Sequence, residues 1–311
     1  MSDARLAQAT HGARRPRGPR YKMSDARLAQ ATHGARRPRG PRYKLTRLGE
    51  TFESLRARGE RALVTYLTAG DPSLADTRRL VLEAARRGAD VVELGVPFSD
   101  PLADGPVIQR AAMRALDRGT TLPRVLETVA TLRAETNVPI ALLTYYNPVL
   151  AFGLKAFART AADAGVDGVI VADLPPEEAD PLAAEAEAAG LDLVAMVAPT
   201  STPERVRLIA RRSRGFIYLV ALTGVTGERR EVPRDLAAQI RALRRVTRMP
   251  VCVGFGISRP EHVEAVGRLA DGVIVGSAIV RLVEERAGSA GLVEAVGDFV
   301  AALKAPLRGP R

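Results

Sequence analysis

Two carboxylates pose the chemical question. Residues 91–96 read Val-Val-Glu-Leu-Gly-Val, an apolar run of strand type interrupted only by Glu93. A carboxylate inside such a run is costly to bury unless something pairs with it or uses it. The other apolar runs of the chain supply no obvious basic partner. Asp104 follows in Pro-Leu-Ala-Asp-Gly-Pro, residues 101–106. One carboxylate on a rigid strand and a second on the loop behind it suit acid/base work on a single substrate. The ordinary alternatives are a core ion pair for Glu93 and an N-cap near Pro106 for Asp104. Asp100, in the same loop, reads as a turn or capping residue.

The rest of the chain narrows the chemistry. Of its three histidines, His11 and His33 sit in the basic N-terminal segment, which leaves His262 alone in the remainder. That argues against a Ser-His-Asp triad and against a His-based metal site, and no metal is expected. The single cysteine, Cys252, lies in an apolar run and reads as a small packing residue in a reduced, cytoplasmic protein. Glycine-rich stretches at 224–227, 254–258 and 276–277 each follow an apolar run. Glycine lets the backbone approach an anion and present its N–H groups. Three such loops in succession point to a phosphate held by Gly227, Gly256, Gly276 and Ser277.

A second group of residues suggests an apolar slot: Tyr66, Ile108, Leu143, Tyr145, Ile170, Met196, Tyr218 and Phe255, all near the ends of apolar runs. With six Tyr, seven Phe and no Trp in the whole chain, four aromatics gathered at strand ends suggest a flat ligand.

These side chains need a scaffold. Short apolar runs at 62–67, 91–96, 140–145, 168–172, 191–197, 216–220, 251–254 and 272–275 alternate with helical patterns. The helical patterns cover 74–87, 122–135, 154–164, 176–189, 203–212, 236–246, 260–269 and 291–303, with an extra short one at 105–116. Eight strands alternating with helices over about 250 residues have the rhythm of a TIM (β/α)8 barrel. An open doubly wound sheet is the alternative, and the unbroken series favours closure. Pro72, Pro203 and Pro260 sit near helix starts, and Gly88, Gly165 and Gly190 sit where helix ends belong.

The first 44 residues stand apart. Residues 1–22 recur without change as 23–44, and the two copies supply +10 of the formal charge of +11. Each copy opens with Met and has no apolar face to stack. The segment reads as a disordered leader or a duplicated start, with 45–311 as one barrel domain. Its charge suits weak contact with nucleic acid or an anionic surface, without sequence specificity. No signal-peptide core follows the charges, and no run approaches the ~20 apolar residues of a membrane span.

The stretch Glu-Leu-Gly-Val-Pro-Phe-Ser-Asp-Pro-Leu-Ala-Asp-Gly-Pro, residues 93–106, resembles the signature of the tryptophan synthase alpha subunit family. Further blocks at 66–72, 145–148, 171–175, 224–227, 254–258 and 276–280 occur in the family's order. The resemblance implies retro-aldol cleavage of indole-3-glycerol phosphate to indole and glyceraldehyde 3-phosphate. It implies Glu93 as acid/base catalyst and Asp104 as acceptor for the indole ring N–H. No cofactor is implied in this chain. The implied partner is a beta subunit carrying pyridoxal phosphate, in an α2β2 tetramer that receives the indole. A phosphosugar isomerase or a freestanding indole-producing lyase on the same scaffold, and a non-catalytic activating subunit, remain as alternatives. The Glu93/Asp104 block weighs against an isomerase, and its being intact against a non-catalytic subunit.

Overall fold

The computed structural model describes residues 46–220, 235–254 and 256–309. The duplicated leader, Gly227 with its loop, and Phe255 therefore lie outside the described residues.

Eight parallel strands close into a barrel in chain order. They are β1 (Ala62–Thr68), β2 (Val91–Gly95), β3 (Ile140–Thr144), β4 (Gly168–Val171), β5 (Asp192–Val197), β6 (Ile217–Val220), β7 (Val251–Gly254) and β8 (Gly272–Val275). Pairing of β1 with both β2 and β8 completes the ring. The expected (β/α)8 architecture is the one observed, and each strand lies within a residue of its expected bounds.

Around the barrel run α2 (Leu74–Arg87), α3 (Pro106–Asp117), α4 (Leu122–Leu132), α6 (Leu154–Asp163), α7 (Asp180–Ala189), α8 (Pro203–Arg212), α9 (Leu236–Val246), α10 (Pro260–Gly267) and α12 (Leu292–Lys304). The extra helix after the second strand is α3. The single helix expected over 176–189 is divided into a 3-10 turn at Pro176–Glu178 and α7. Three helices were not expected from the sequence: α1 (Arg47–Ala57), α5 (Tyr146–Phe152) and α11 (Ser277–Arg286). Pro72 lies just ahead of α2, whose N-cap is Ser73, accepting from the Asp76 N–H. Pro203 and Pro260 occupy the first turns as expected.

Both faces of every strand are covered, as a parallel barrel requires. Leu63, Leu67, Val92, Leu94, Ile140 and Leu142 face the helices in one continuous core. Val64, Val91, Ala141, Ile170, Val194, Cys252 and Ile274 pack inside the barrel with Leu48, Phe52 and Leu55 of α1. Those three apolar residues follow helical spacing, so α1 lays one stripe across the bottom of the barrel. Phe52 meets Phe216 with ring centroids 5.7 Å apart.

The bottom face also holds a set of aspartates at strand starts. Asp90 accepts the Leu63 N–H at 2.7 Å, Asp167 the Ile140 N–H at 2.8 Å and Asp271 the Val251 N–H at 2.9 Å. Each also faces a cation: Lys304, Arg133 and Arg244 respectively. Every one of these carboxylates thus satisfies a strand N–H at the barrel's lower rim.

Candidate active site

Strand β2 presents its side chains alternately to the helices and to the barrel interior. Leu94 faces the helices, so Glu93 faces inward, in register with Tyr66 of β1 and Ala141 of β3. Glu93 is 1% exposed. Neither carboxylate oxygen has a hydrogen-bond partner among the described residues. Burial pushes its pKa up to about 8. Burial therefore favours the protonated form of Glu93 at pH 7, and no described residue bonds it. The core ion pair that would have made it structural is absent among the described residues.

Asp104 sits just before α3, but it is not the cap. Gly105 holds that position, and no side chain caps the helix. Instead Asp104 Oδ2 accepts the Tyr145 hydroxyl at 2.9 Å, and the Gln109 Nε2 donates to the Asp104 carbonyl at 2.9 Å. Burial raises the Asp104 pKa to about 6, with the Tyr145 hydrogen bond working against the rise. The two carboxylates are thus pushed to different sides of neutrality. Such a separation suits one to donating a proton and the other to holding a negative charge.

Aromatic residues surround the pair. Tyr66 is buried and accepts the Thr68 hydroxyl at 3.3 Å. A side chain at Gly95 would run into the Tyr66 ring, its Cβ only 2.1 Å from the hydroxyl. Gly95 therefore makes the space in which Tyr66 lies beside the barrel mouth. Desolvation drives the Tyr66 and Tyr218 phenols well above their usual range, and the charges of Glu93 and Asp104 add to the rise. Both remain neutral hydrogen-bonding groups.

The expected slot residues fall into two packed groups. Tyr66 and Ile108 cluster with Ala111 and Val280, while Ile170 packs in the barrel interior with Met196 and Tyr218 at its edge. Leu143 packs against both groups and so links Tyr66 and Ile108 to Ile170, Met196 and Tyr218. Tyr145 lies to the side, its ring 5.2 Å from Phe98 and its hydroxyl on Asp104. Its polar role had no sequence signal. A cavity of about 460 Å³ opens at the ends of β4, β5 and β6 and shares Met196 with the second group, but it does not reach Glu93 or Asp104. The candidate site is taken at the carboxylates, because Glu93 is the buried carboxyl whose oxygens have no hydrogen-bond partner among the described residues.

Beyond β8, which pairs with β1 and so lies two strands from Glu93, Gly276 is the N-cap of α11 and Ser277 its first residue. No side chain caps this helix, and its first turn carries no acidic residue. Its free N–H groups and helix dipole suit an anion. A Cβ at Gly276 would meet Tyr66 at 3.4 Å, an ordinary contact, so neighbouring protein atoms do not demand glycine there. Gly256 differs: its φ of 78° is left-handed, so the backbone itself asks for glycine.

No group of three or more potential metal ligands occurs among the described residues. No helix among them is long and apolar enough to cross a membrane.

Comparison with known proteins matches residues 52–304 to the model of the tryptophan synthase alpha chain family. The tryptophan synthase alpha chain of Geobacter sp. (strain M21) is 53% identical over 268 residues, covering 86% of this chain and all of that one. That of Geobacter sulfurreducens is 50% identical over 260 residues, covering 84% of this chain and 98% of the relative. Among solved structures, tryptophan synthase subunit alpha from Legionella pneumophila str. Paris superposes with a TM-score of 0.79 at 36% identity, covering 85% of this chain and 99% of that one. A chain of Mycobacterium tuberculosis tryptophan synthase matches at 36% identity and TM-score 0.79, covering 86% and 100%.

Proposed function

Because the chain belongs to the tryptophan synthase alpha chain family of lyases, we propose that it cleaves indole-3-glycerol phosphate to indole and glyceraldehyde 3-phosphate by a retro-aldol reaction, with Glu93 and Asp104 as its catalytic residues. The observation that carries this reading is the buried Glu93 carboxyl on the inner face of β2, which has no hydrogen-bond partner among the described residues.

Glu93, holding its proton at neutral pH, protonates C3 of the indole ring. The ring becomes an iminium and the electron sink that carbon–carbon cleavage requires. The resulting Glu93 carboxylate then takes the proton of the hydroxyl on the adjacent side-chain carbon. As that O–H bond breaks, its electrons form the aldehyde C=O. The carbon–carbon bonding pair returns to the ring, which regains aromaticity as indole. One proton leaves Glu93 and one returns, so the enzyme is regenerated. Asp104, ionised above pH about 6, accepts the ring N–H and stabilises the positive charge that develops on it.

Gly256, Gly276, Ser277 and the N-terminus of α11 hold the phosphate, with Gly227 assigned from sequence alone. Tyr66, Ile108, Leu143, Ile170, Met196 and Tyr218 line the indole slot. Phosphate binding far from the reacting bond helps align it. We assign the barrel, 45–311, as a single cytoplasmic catalytic domain. Its partner is a beta subunit, in an α2β2 assembly, whose pyridoxal phosphate serves the later condensation; this chain's own step uses no cofactor.

The test is indole release from indole-3-glycerol phosphate by the purified chain, alone and with a beta subunit. Cleavage that is lost in Glu93→Gln, with phosphate-ligand binding retained, supports the assignment. Near-normal turnover of that variant removes it.

A further inference from the structure

We propose that Tyr145 is a positioning residue for Asp104: its hydroxyl, held between the Ala103 N–H and Asp104 Oδ2, fixes the carboxylate in the orientation that receives the indole N–H. The proposal rests on the reading of Asp104 given above and adds a residue that acts through it.

The geometry is specific. Tyr145 is 3% exposed and is the residue between β3 and α5. Its hydroxyl accepts the Ala103 N–H at 3.0 Å and donates to Asp104 Oδ2 at 2.9 Å. The next residue, Tyr146, is pinned through its N–H to Asp173 Oδ1 at 2.7 Å. Phe98, on the loop that carries Asp104, packs against the Tyr145 ring with a 31° interplanar angle. The phenol is therefore held at ring, backbone and hydroxyl, and it holds Asp104 and the adjacent peptide together.

Gln109 completes the arrangement from the other side. Its Nε2 bonds the Asp104 carbonyl at 2.9 Å and the Pro101 carbonyl at 3.4 Å. The main chain of Asp104 is thus fixed from α3 and its side chain from just after β3. Asp104 Oδ1 makes no hydrogen bond to the described residues and is the oxygen left to accept a ligand N–H. A loop carboxylate without these ties would lose side-chain freedom when substrate binds; one already held has met that cost in folding.

The electrostatics follow the same contact. Tyr66 from β1, Tyr145 just after β3 and Tyr218 from β6 all sense the Asp104 charge, and all three are raised above their ordinary range, so they stay neutral. Among these neighbours, the Tyr145 hydroxyl is the group that opposes protonation of Asp104. Removing it moves Asp104 toward the protonated form, which cannot serve as the negative charge.

The experiment compares Tyr145→Phe in the otherwise native chain and in an Asp104→Asn background. It measures kcat/KM for indole-3-glycerol phosphate across pH, and the Kd of indole-3-propanol phosphate, which keeps the ring and phosphate but lacks the reacting hydroxyls. Tyr145→Phe keeps the ring contact with Phe98. It should lower kcat/KM roughly tenfold near pH 6, the scale of a lost hydrogen bond to a charged group, and less at pH 8. The acidic limb of its profile should move to higher pH. In the Asp104→Asn background the same change should alter analogue binding less than about twofold, as non-additive members of one unit do. An unmoved acidic limb, or an equal loss in both backgrounds, overturns the proposal while leaving Asp104 in place. Full activity in Asp104→Asn alone instead removes the catalytic reading of Asp104, and this proposal with it.

Discussion

Replacing Glu93 with Gln should stabilise the protein by an amount that grows with pH. The native carboxyl has its pKa raised to about 8 from a reference of 4.5, with burial the cause. A group whose folded pKa lies above its unfolded one contributes most below the unfolded value. That contribution is lost as pH rises through the window between the two. From pH 5 to 8 the unfolded chain ionises while the native chain keeps its proton, at about 1.4 kcal/mol per pH unit. The change across the window is then of order 4 kcal/mol. Gln matches Glu in shape, leaves a similarly unpartnered polar group and does not titrate. Wild type and Glu93→Gln should therefore differ little at pH 5, while Gln should lead by several kcal/mol at pH 8. Urea denaturation at four or five pH values, followed by both circular dichroism and fluorescence so that intermediates would be noticed, measures the difference. A gap that stays constant with pH would mean that native Glu93 is ionised at neutrality, and the assignment of Glu93 as the neutral proton donor would fall.

Three other expectations follow from the site. The kcat/KM profile should be bell-shaped, with an acidic limb near pH 6 from Asp104 and a basic limb near pH 8 from Glu93; an activity flat from pH 5 to 9 would contradict both assignments. Gly276→Ala should raise KM for the phosphorylated substrate by roughly tenfold with little change in thermal midpoint, whereas Gly256→Ala should cost about 1–2 kcal/mol of stability as well, because its φ is positive. Equal thermal losses in the two variants would show that Gly276 is structural. Deleting residues 1–44 should leave thermal midpoint and indole release unchanged, since the eight strands close without them; a loss of either would make the leader part of the working protein.

Strand positions were legible because apolar runs bounded by turn residues survive in the sequence wherever a parallel barrel buries both faces. The inward and outward sets were not legible, for the same reason. All seven residues of β1 are buried, so nothing in their hydropathy says that Tyr66 faces in and Leu67 out. Glu93 announced itself as a charge in the wrong company, although its lack of a partner is a property of three dimensions. The Tyr145–Asp104 bond spans 41 positions and joins residue types that serve many purposes, so spacing carried no trace of it. Helix α1 offers only Leu48, Phe52 and Leu55 among charges, a stripe narrow enough to pass for loop. Helix α5 hides behind Asn147 and Pro148, which signal a turn, and α11 behind a glycine read for its ligand.

Helix α1 has a consequence for traffic through the molecule. Leu48, Phe52 and Leu55 pack into the lower barrel, and Thr46 and Arg47 tether the helix start to Asp192 and Asp167 at 2.5 Å and 3.1 Å. The barrel is closed at its lower end, so on the proposed function substrate would reach Glu93, and products would leave, by the neck at the strands' C-terminal ends. A partner seated over that neck would meter both flows at once: it would decide when substrate enters and receive the indole as it emerges. Truncating the plug with Phe52→Ala would leave Val64, Val91, Cys252 and Ile274 packed between α1 and Glu93, so the neck would still be the way in and out.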